Sequence, residues 1–155
     1  MGTVEEKMKT LKITLPQKDL KGKALLPLRE ENNLIFLSGH GCEKENGEPI
    51  YRGKLGADLS VEQGYEAARQ CGLNLLASVQ NYLGSLDRVE KIIKVLGFVN
   101  SSPDFYRQPE VMHGFSDLMV EVFGENGKHA RSAIGTSVLP NNQAVEIEMI
   151  VKIKA

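Results

Sequence analysis

The last stretch of alternating side chains constrains this chain most. Val145, Ile147, Met149, Val151 and Ile153 alternate with Glu146, Glu148 and Lys152. A period of two belongs to a strand with one face in a core and the other towards water. Such a strand needs a sheet, and the sheet needs a second layer to cover its apolar face. Ile150 interrupts the polar set, which implies that part of the outer face is covered too. Residues 130–139 read as another strand, and Pro140-Asn141-Asn142-Gln143 as the turn of a hairpin joining the two.

The covering layer is legible upstream. Ser60 with Gln63 makes a capping box, and Val61, Tyr65, Ala68, Leu75, Val79 and Tyr82 follow at helical spacing until Gly84 closes the helix. Gly64 and Gly72 within it suit close packing on a sheet. A second helix is expected in residues 103–123, clearest over 111–123, with Gly124 after it. Between the helices, residues 88–100 are β-branched and aromatic and read as a long strand. Residues 23–39 read as two strands around a Glu30-Glu31-Asn32-Asn33 turn, with Leu34-Ile35-Phe36-Leu37 suited to a central strand buried on both sides. Thr3 and Glu6 make a capping box for a short helix over residues 3–10, stopped by Pro16. Residues 38–60 hold five glycines and an Asn46-Gly47 turn, and form a loop long enough to suggest function.

The order is therefore β-β-α-β-α-β-β, an α+β fold with two helices on one face of a mixed sheet. It fills residues 1–155 as a single domain, with 1–16 as an N-terminal helical extension. No further helix remains for the opposite face, so self-association is expected. At 41% hydrophobic and 25% charged residues, the composition is that of a soluble globular chain. Nineteen Lys and Arg against twenty Asp and Glu leave no basic surplus of the kind nucleic-acid binding draws on. No apolar run reaches the roughly 18 to 20 residues of a membrane span, and the N-terminus has no apolar signal core. Cys42 and Cys71 read as reduced thiols of a cytoplasmic protein. His40, His113 and His129 show no metal-binding spacing, so no metal is expected.

Phosphate-loop, nucleophile-elbow and dinucleotide motifs are absent from the sequence. Arg131 stands among small and apolar strand residues, where its fork either holds a carboxylate ligand or pairs with a surface acid. Glu146, between Val145 and Ile147, is either a partly buried acid–base group or one of a solvated row. Ser38-Gly39-His40-Gly41-Cys42 ends a strand, and such an end can offer backbone N–H groups to a ligand oxygen. Cys42 reads as a structural thiol.

Ile35-Phe36-Leu37-Ser38-Gly39, Ala130-Arg131-Ser132 through Leu139-Pro140, and Val145-Glu146-Ile147-Glu148-Met149 together resemble the reactive intermediate deaminase (Rid or YjgF) family, also labelled endoribonuclease L-PSP. The resemblance covers residues 20–155, and the Gly39-His40-Gly41-Cys42 loop and residues 117–135 are similar to a longer subgroup. It implies a chorismate-mutase-like fold, a homotrimer and ligand clefts between subunits. It also implies hydrolysis of small enamine or imine carboxylates such as 2-aminoacrylate to 2-keto acids and ammonia, without cofactor or metal. Arg131 would bind the carboxylate and Glu146 would direct the water, with contacts from Ser38, Gly39 and Ala133. Where the deaminase branch has a Tyr, a Cys and an Asn, this chain has Leu25 or Leu26, Ala133 and His113. His113 would then serve as a donor or proton carrier. A non-catalytic binder of small carboxylates is the alternative; ribonuclease activity follows the family label more than any residue.

The expected hairpin adds a geometric condition. With its turn centred on Asn141-Asn142, Glu146 faces Ser137, roughly 20 Å along the strand from Arg131. One small ligand then cannot touch both in a single subunit.

Overall fold

In the computed structural model, which describes residues 2–17 and 24–155, both expected capping boxes form. Thr3 and Ser60 accept from the N–H groups of Glu6 and Gln63, whose side chains return a bond to the cap backbone. Helix α1 runs Val4–Thr10 and α2 runs Val61–Leu83. Gly84, at φ 82°, ends α2 in the left-handed conformation that glycine adopts without strain. α1 ends at Thr10, as expected, but Pro16 is not the stop: Leu11 caps it and Lys12 turns left-handed at φ 56°. Helix α3, Gln108–Phe123, begins with Pro109 in its first turn and ends at Gly124. The start of the expected first strand at Lys23, and the joint behind the N-terminal extension, lie outside the described residues.

Strands β1, Leu28–Glu31, and β2, Leu34–Leu37, pair antiparallel across Asn32 and Asn33. Both asparagines have positive φ, 51° and 62°, the geometry of a tight hairpin turn. The two-residue β3, His40–Gly41, continues along β6, which runs Val145–Ile153. With β4, Val89–Asn100, and β5, Ala130–Thr136, the sheet order is β1-β2-β6-β4-β5. This is a mixed α+β sheet, since β4 and β5 are parallel and the other pairs antiparallel. Among the described residues no helix is long and apolar enough to cross a membrane.

The expected hairpin of residues 130–154 does not form. β5 and β6 are both strands, and the chain reverses between them at Asn141 and Asn142, φ 57° and 53°. β4 nevertheless lies between them, pairing β5 on one side and β6 on the other. Alternation and a turn specify strands and a reversal, but not which edge each strand meets. β4 is twelve residues long and offers both edges, so β6 takes the sheet centre, where all five of its core-facing residues are buried. β5 is left as an edge.

Two packing expectations also change. β2 has neighbours on both sides but is not buried on both faces, because Phe36 is 44% exposed. Gly64 and Gly72 make room for α3 rather than the sheet: a Cβ at Gly64 would meet Val111, and one at Gly72 would meet Leu118 and Phe115. Gly114 returns the favour from α3, where a Cβ would run into the Tyr65 backbone carbonyl. Phe115, Leu75, Met112 and Leu118 fill this junction completely buried. A side chain the size of Phe115 contributes on the order of 3 kcal/mol there.

The helices cover one sheet face only. The cross-strand rows Arg29–Phe36–Ile150–Lys94, Glu148–Leu96–Ser132 and Glu146–Phe98–Ile134 make up the other. Phe36 and Ile134 are 44% and 45% exposed on it, an apolar face framed by charges.

Candidate functional site

Arg131 sits on the edge strand, opposite Val95 of β4. Val95 is fully buried under the helices, so the same register points Arg131 to the helix side, where it meets α3. Its Nη1 donates to His113 Nδ1 and to Ser116 Oγ, both at 3.1 Å, and its Nη2 to the Pro109 carbonyl at 3.4 Å. All three acceptors are neutral, and among the described residues no carboxylate forms an ion pair with Arg131. Asp117 acts on it only through space; its Oδ2 accepts from the Tyr65 hydroxyl at 2.6 Å, a bond that leads in raising the Tyr65 pKa to about 12. The surface acid that could have explained a strand arginine is therefore not there. A guanidinium has five N–H donors, so Nε–H and one Nη2–H remain for a ligand, the pair a carboxylate takes bidentately. Burial lowers the Arg131 pKa, but an arginine stays charged in any such setting. His113 is exposed beside it, and Ala133 follows two residues along β5, opposite Gly97.

Glu146 belongs to a different place. On β6 it pairs with Phe98 of β4 and Gly41 of β3, and it lies on the open face. Burial raises its carboxyl pKa, and the charges of Glu43 and Glu148 raise it further. Gly39 lies directly against it: a Cβ there would come within 3.0 Å of the Glu146 Cδ. Ser38 is already occupied, its hydroxyl donating to Leu26 at 2.7 Å and its N–H to Pro27 at 2.9 Å. Its carbonyl contacts His40 Nδ1 at 2.7 Å, and His40 Nε2 contacts the Ser78 hydroxyl at 2.8 Å.

Two residues that sequence reasoning missed hold this segment. Asn74 is fully buried and donates to the carbonyls of Gly41 and Glu43 at 2.8 and 2.9 Å. Gln143 Oε1 accepts from Cys42 N–H at 3.0 Å. Asn74 could have been found, because it falls beside Leu75 on the buried stripe of α2, where a polar side chain must have a partner. Cys42 and Cys71 are both fully buried, so Cys42 is a packing residue rather than an exposed nucleophile. Among the described residues no group of three or more His, Cys, Asp or Glu side chains could hold a metal.

Arg131 and Glu146 are thus one strand removed from each other and on opposite faces. On β4 their partners Val95 and Phe98 are three residues apart, which puts the two Cα atoms about 14 Å from each other. Within one chain a small ligand reaches only one of them. The condition drawn from the expected hairpin holds, although the hairpin itself does not.

The family described as "YjgF/chorismate mutase-like, putative endoribonuclease" matches residues 34–153. The chain belongs to this YjgF family. Protein TCP17 of Trypanosoma cruzi is 48% identical over 102 residues, a stretch covering 65% of this chain and 64% of that relative's length. Among solved structures, Atu1372 of Agrobacterium tumefaciens is 37% identical with a TM-score of 0.90, covering 99% of this chain and 94% of its own. Escherichia coli TdcF, solved with bound serine, shares the fold at 20% identity and a TM-score of 0.61, over 91% of this chain and 94% of its own. The backbone of this YjgF chain therefore follows Atu1372 more closely than TdcF.

Proposed function

We propose that the protein hydrolytically deaminates small enamine and imine carboxylates in clefts formed between the subunits of a homotrimer. The observation that carries this is Arg131, half-buried, bonded only to neutral acceptors and left with two donors. In this reading, residues 1–16 are an extension of a single domain, and the protein works in the cytoplasm. The apolar open face carrying Phe36, Leu96, Phe98 and Ile134 of one subunit meets the β5 edge of the next, which brings Glu146 of one to Arg131 of the other.

The chemistry follows from the two groups. 2-Aminoacrylate tautomerises to the imine, and Arg131 holds its carboxylate through Nε–H and Nη2–H. The His113 ring, bare at Nδ1 where it accepts from Arg131, turns its Nε2–H outward as a further donor. Glu146 takes a proton from water as the oxygen bonds to the C=N carbon. It then returns that proton to the nitrogen of the tetrahedral adduct. The adduct's hydroxyl then passes its own proton through Glu146 to the nitrogen, the C–N bond breaks as C=O forms, ammonia leaves and pyruvate remains. A carboxyl with a raised pKa suits these transfers. The test generates 2-aminoacrylate in the assay and follows pyruvate. A rate above the uncatalysed one that vanishes in Arg131→Ala is expected; an equal rate in that variant would sink the proposal.

A second reading, a non-catalytic binder of small carboxylates, is favoured by one observation. Leu25 and Leu26, where the deaminase branch has Tyr, are 70% and 48% exposed and carry no hydroxyl. Thermal stabilisation by pyruvate, without turnover of 2-aminoacrylate, would decide for it.

A further inference from the structure

Arg131 is held by a chain of hydrogen bonds whose direction is forced from its far end. The Gly127 carbonyl can only accept, so His129 Nδ1, 2.7 Å away, carries a proton. Burial pushes the His129 pKa down against the pull of the Gly127 bond, and the Arg131 charge adds to the drop, both favouring the neutral ring. Its Nε2 is then bare and takes the Ser116 hydroxyl proton at 2.9 Å. With that proton committed, Ser116 Oγ presents only lone pairs to Arg131 Nη1 at 3.1 Å. Phe115 packs edge-on to the His129 ring, centroids 5.6 Å apart, and restrains its rotation. Without His129 the Ser116 hydroxyl would be free to turn back on a helix carbonyl or out to water.

We infer that Ser116 and His129 are positioning residues for Arg131. They fix the guanidinium plane so that Nε–H and the remaining Nη2–H face the ligand, a role that rests on the carboxylate-binding reading above. Neither touches the substrate. Both act by removing the guanidinium's freedom to rotate, which otherwise has to be lost when the ligand binds. α3 supplies Ser116 and Phe115, and the turn after it, Gly124–Gly127, supplies the carbonyl that starts the chain.

The test uses the full chain and two readouts: pyruvate affinity by calorimetry, and exchange between the two Arg131 Nη groups by rotation about the Nε–Cζ bond, read by NMR in the unliganded protein. Ser116→Ala is expected to weaken pyruvate binding about tenfold and to speed the Nη exchange by a similar factor. Ser116→Thr, which keeps the hydroxyl, should restore both. His129→Phe, which keeps a ring against Phe115 but has no nitrogen, should repeat the alanine result from the other end of the chain. Wild-type exchange and affinity in Ser116→Ala and His129→Phe would overturn the inference. So would a threonine variant as impaired as the alanine one. Should the wild-type protein take up no pyruvate at all, the carboxylate reading fails, while the exchange rates still decide whether the relay holds Arg131.

Discussion

Arg131 and Glu146 are separated by fourteen residues of sequence and stand in opposite surroundings. Arg131 lies on an edge strand, faces the helices and has its fork braced by His113, Ser116 and Pro109. Glu146 lies on a central strand, faces the open side, and is pressed against Gly39 with its charge disfavoured. The first is an organised cation with no anion; the second is a carboxylate that would rather be neutral. Each has what the other lacks, and the sheet between them keeps them apart within the chain. Two incomplete halves of this kind make sense as parts of a site that two chains build.

Disabling each half separately tests whether two chains build the site. Arg131→Ala should weaken carboxylate binding at least tenfold, whereas Glu146→Gln should leave binding near wild type and cut turnover by about a hundredfold or more. Mixing the two variants during refolding in equal amounts should then recover about a quarter of the wild-type rate. One cleft in four draws an intact arginine from one chain and an intact glutamate from the next. No recovery would mean that each site lies within one chain, or that the chains do not share one.

A smaller effect is expected from Gly39→Ala. The added methyl would sit about 3.0 Å from the Glu146 carboxyl carbon and push the side chain aside by a few tenths of an ångström. Turnover should fall about tenfold with pyruvate affinity and melting temperature nearly unchanged, since the obstacle is a movable side chain. The smallest effect is on stability. The raised Glu146 pKa means the folded protein holds a proton that the unfolded chain releases at lower pH. Wild-type stability is therefore present below the usual value near 4.5 and is lost as pH rises through the folded value. Glu146→Gln should stabilise the protein at pH 7 to 8 by no more than about 1 kcal/mol, because the half-exposed carboxyl is screened. The gain should vanish in acid. It should be larger in an Arg131→Ala background, where no neighbouring cation eases the charge; urea unfolding at several pH values reads all of this.

Much of the fold was legible because its signals are local. Ser60 with Gln63 and Thr3 with Glu6 marked two helix starts, Gly84 and Gly124 marked ends, and the alternation of Val145 to Ile153 marked a strand. What the order of residues does not carry is the choice of neighbour. Nothing in residues 130–154 says that β4 will come between the two strands, since that depends on an element thirty residues upstream. The site divides the same way. Arg131 stood out as a charge among small residues, but Ser116 and His129 reach it only because α3 lies back across β5, and Ser116 looks like any helix serine. Glu146 stood in a row of alternating acids, and only Gly39 and Glu43, folded over from a distant loop, distinguish it from Glu148.

The interposed strand also sets a problem of timing. Residues 130–154 carry their own reversal at Asn141 and Asn142, and a local hairpin closes within about 1 to 10 μs. Bringing β4 alongside means closing a far longer loop and comes later. The fastest pairing open to this end of the chain is thus a wrong one, and native folding has to pull it open to let β4 in. Replacing Asn142 with glycine, which favours the tight hairpin turn, should slow refolding and also cost about 1 kcal/mol of stability, because Asn142 Oδ1 accepts from the buried Asn100 Nδ2 at 3.1 Å.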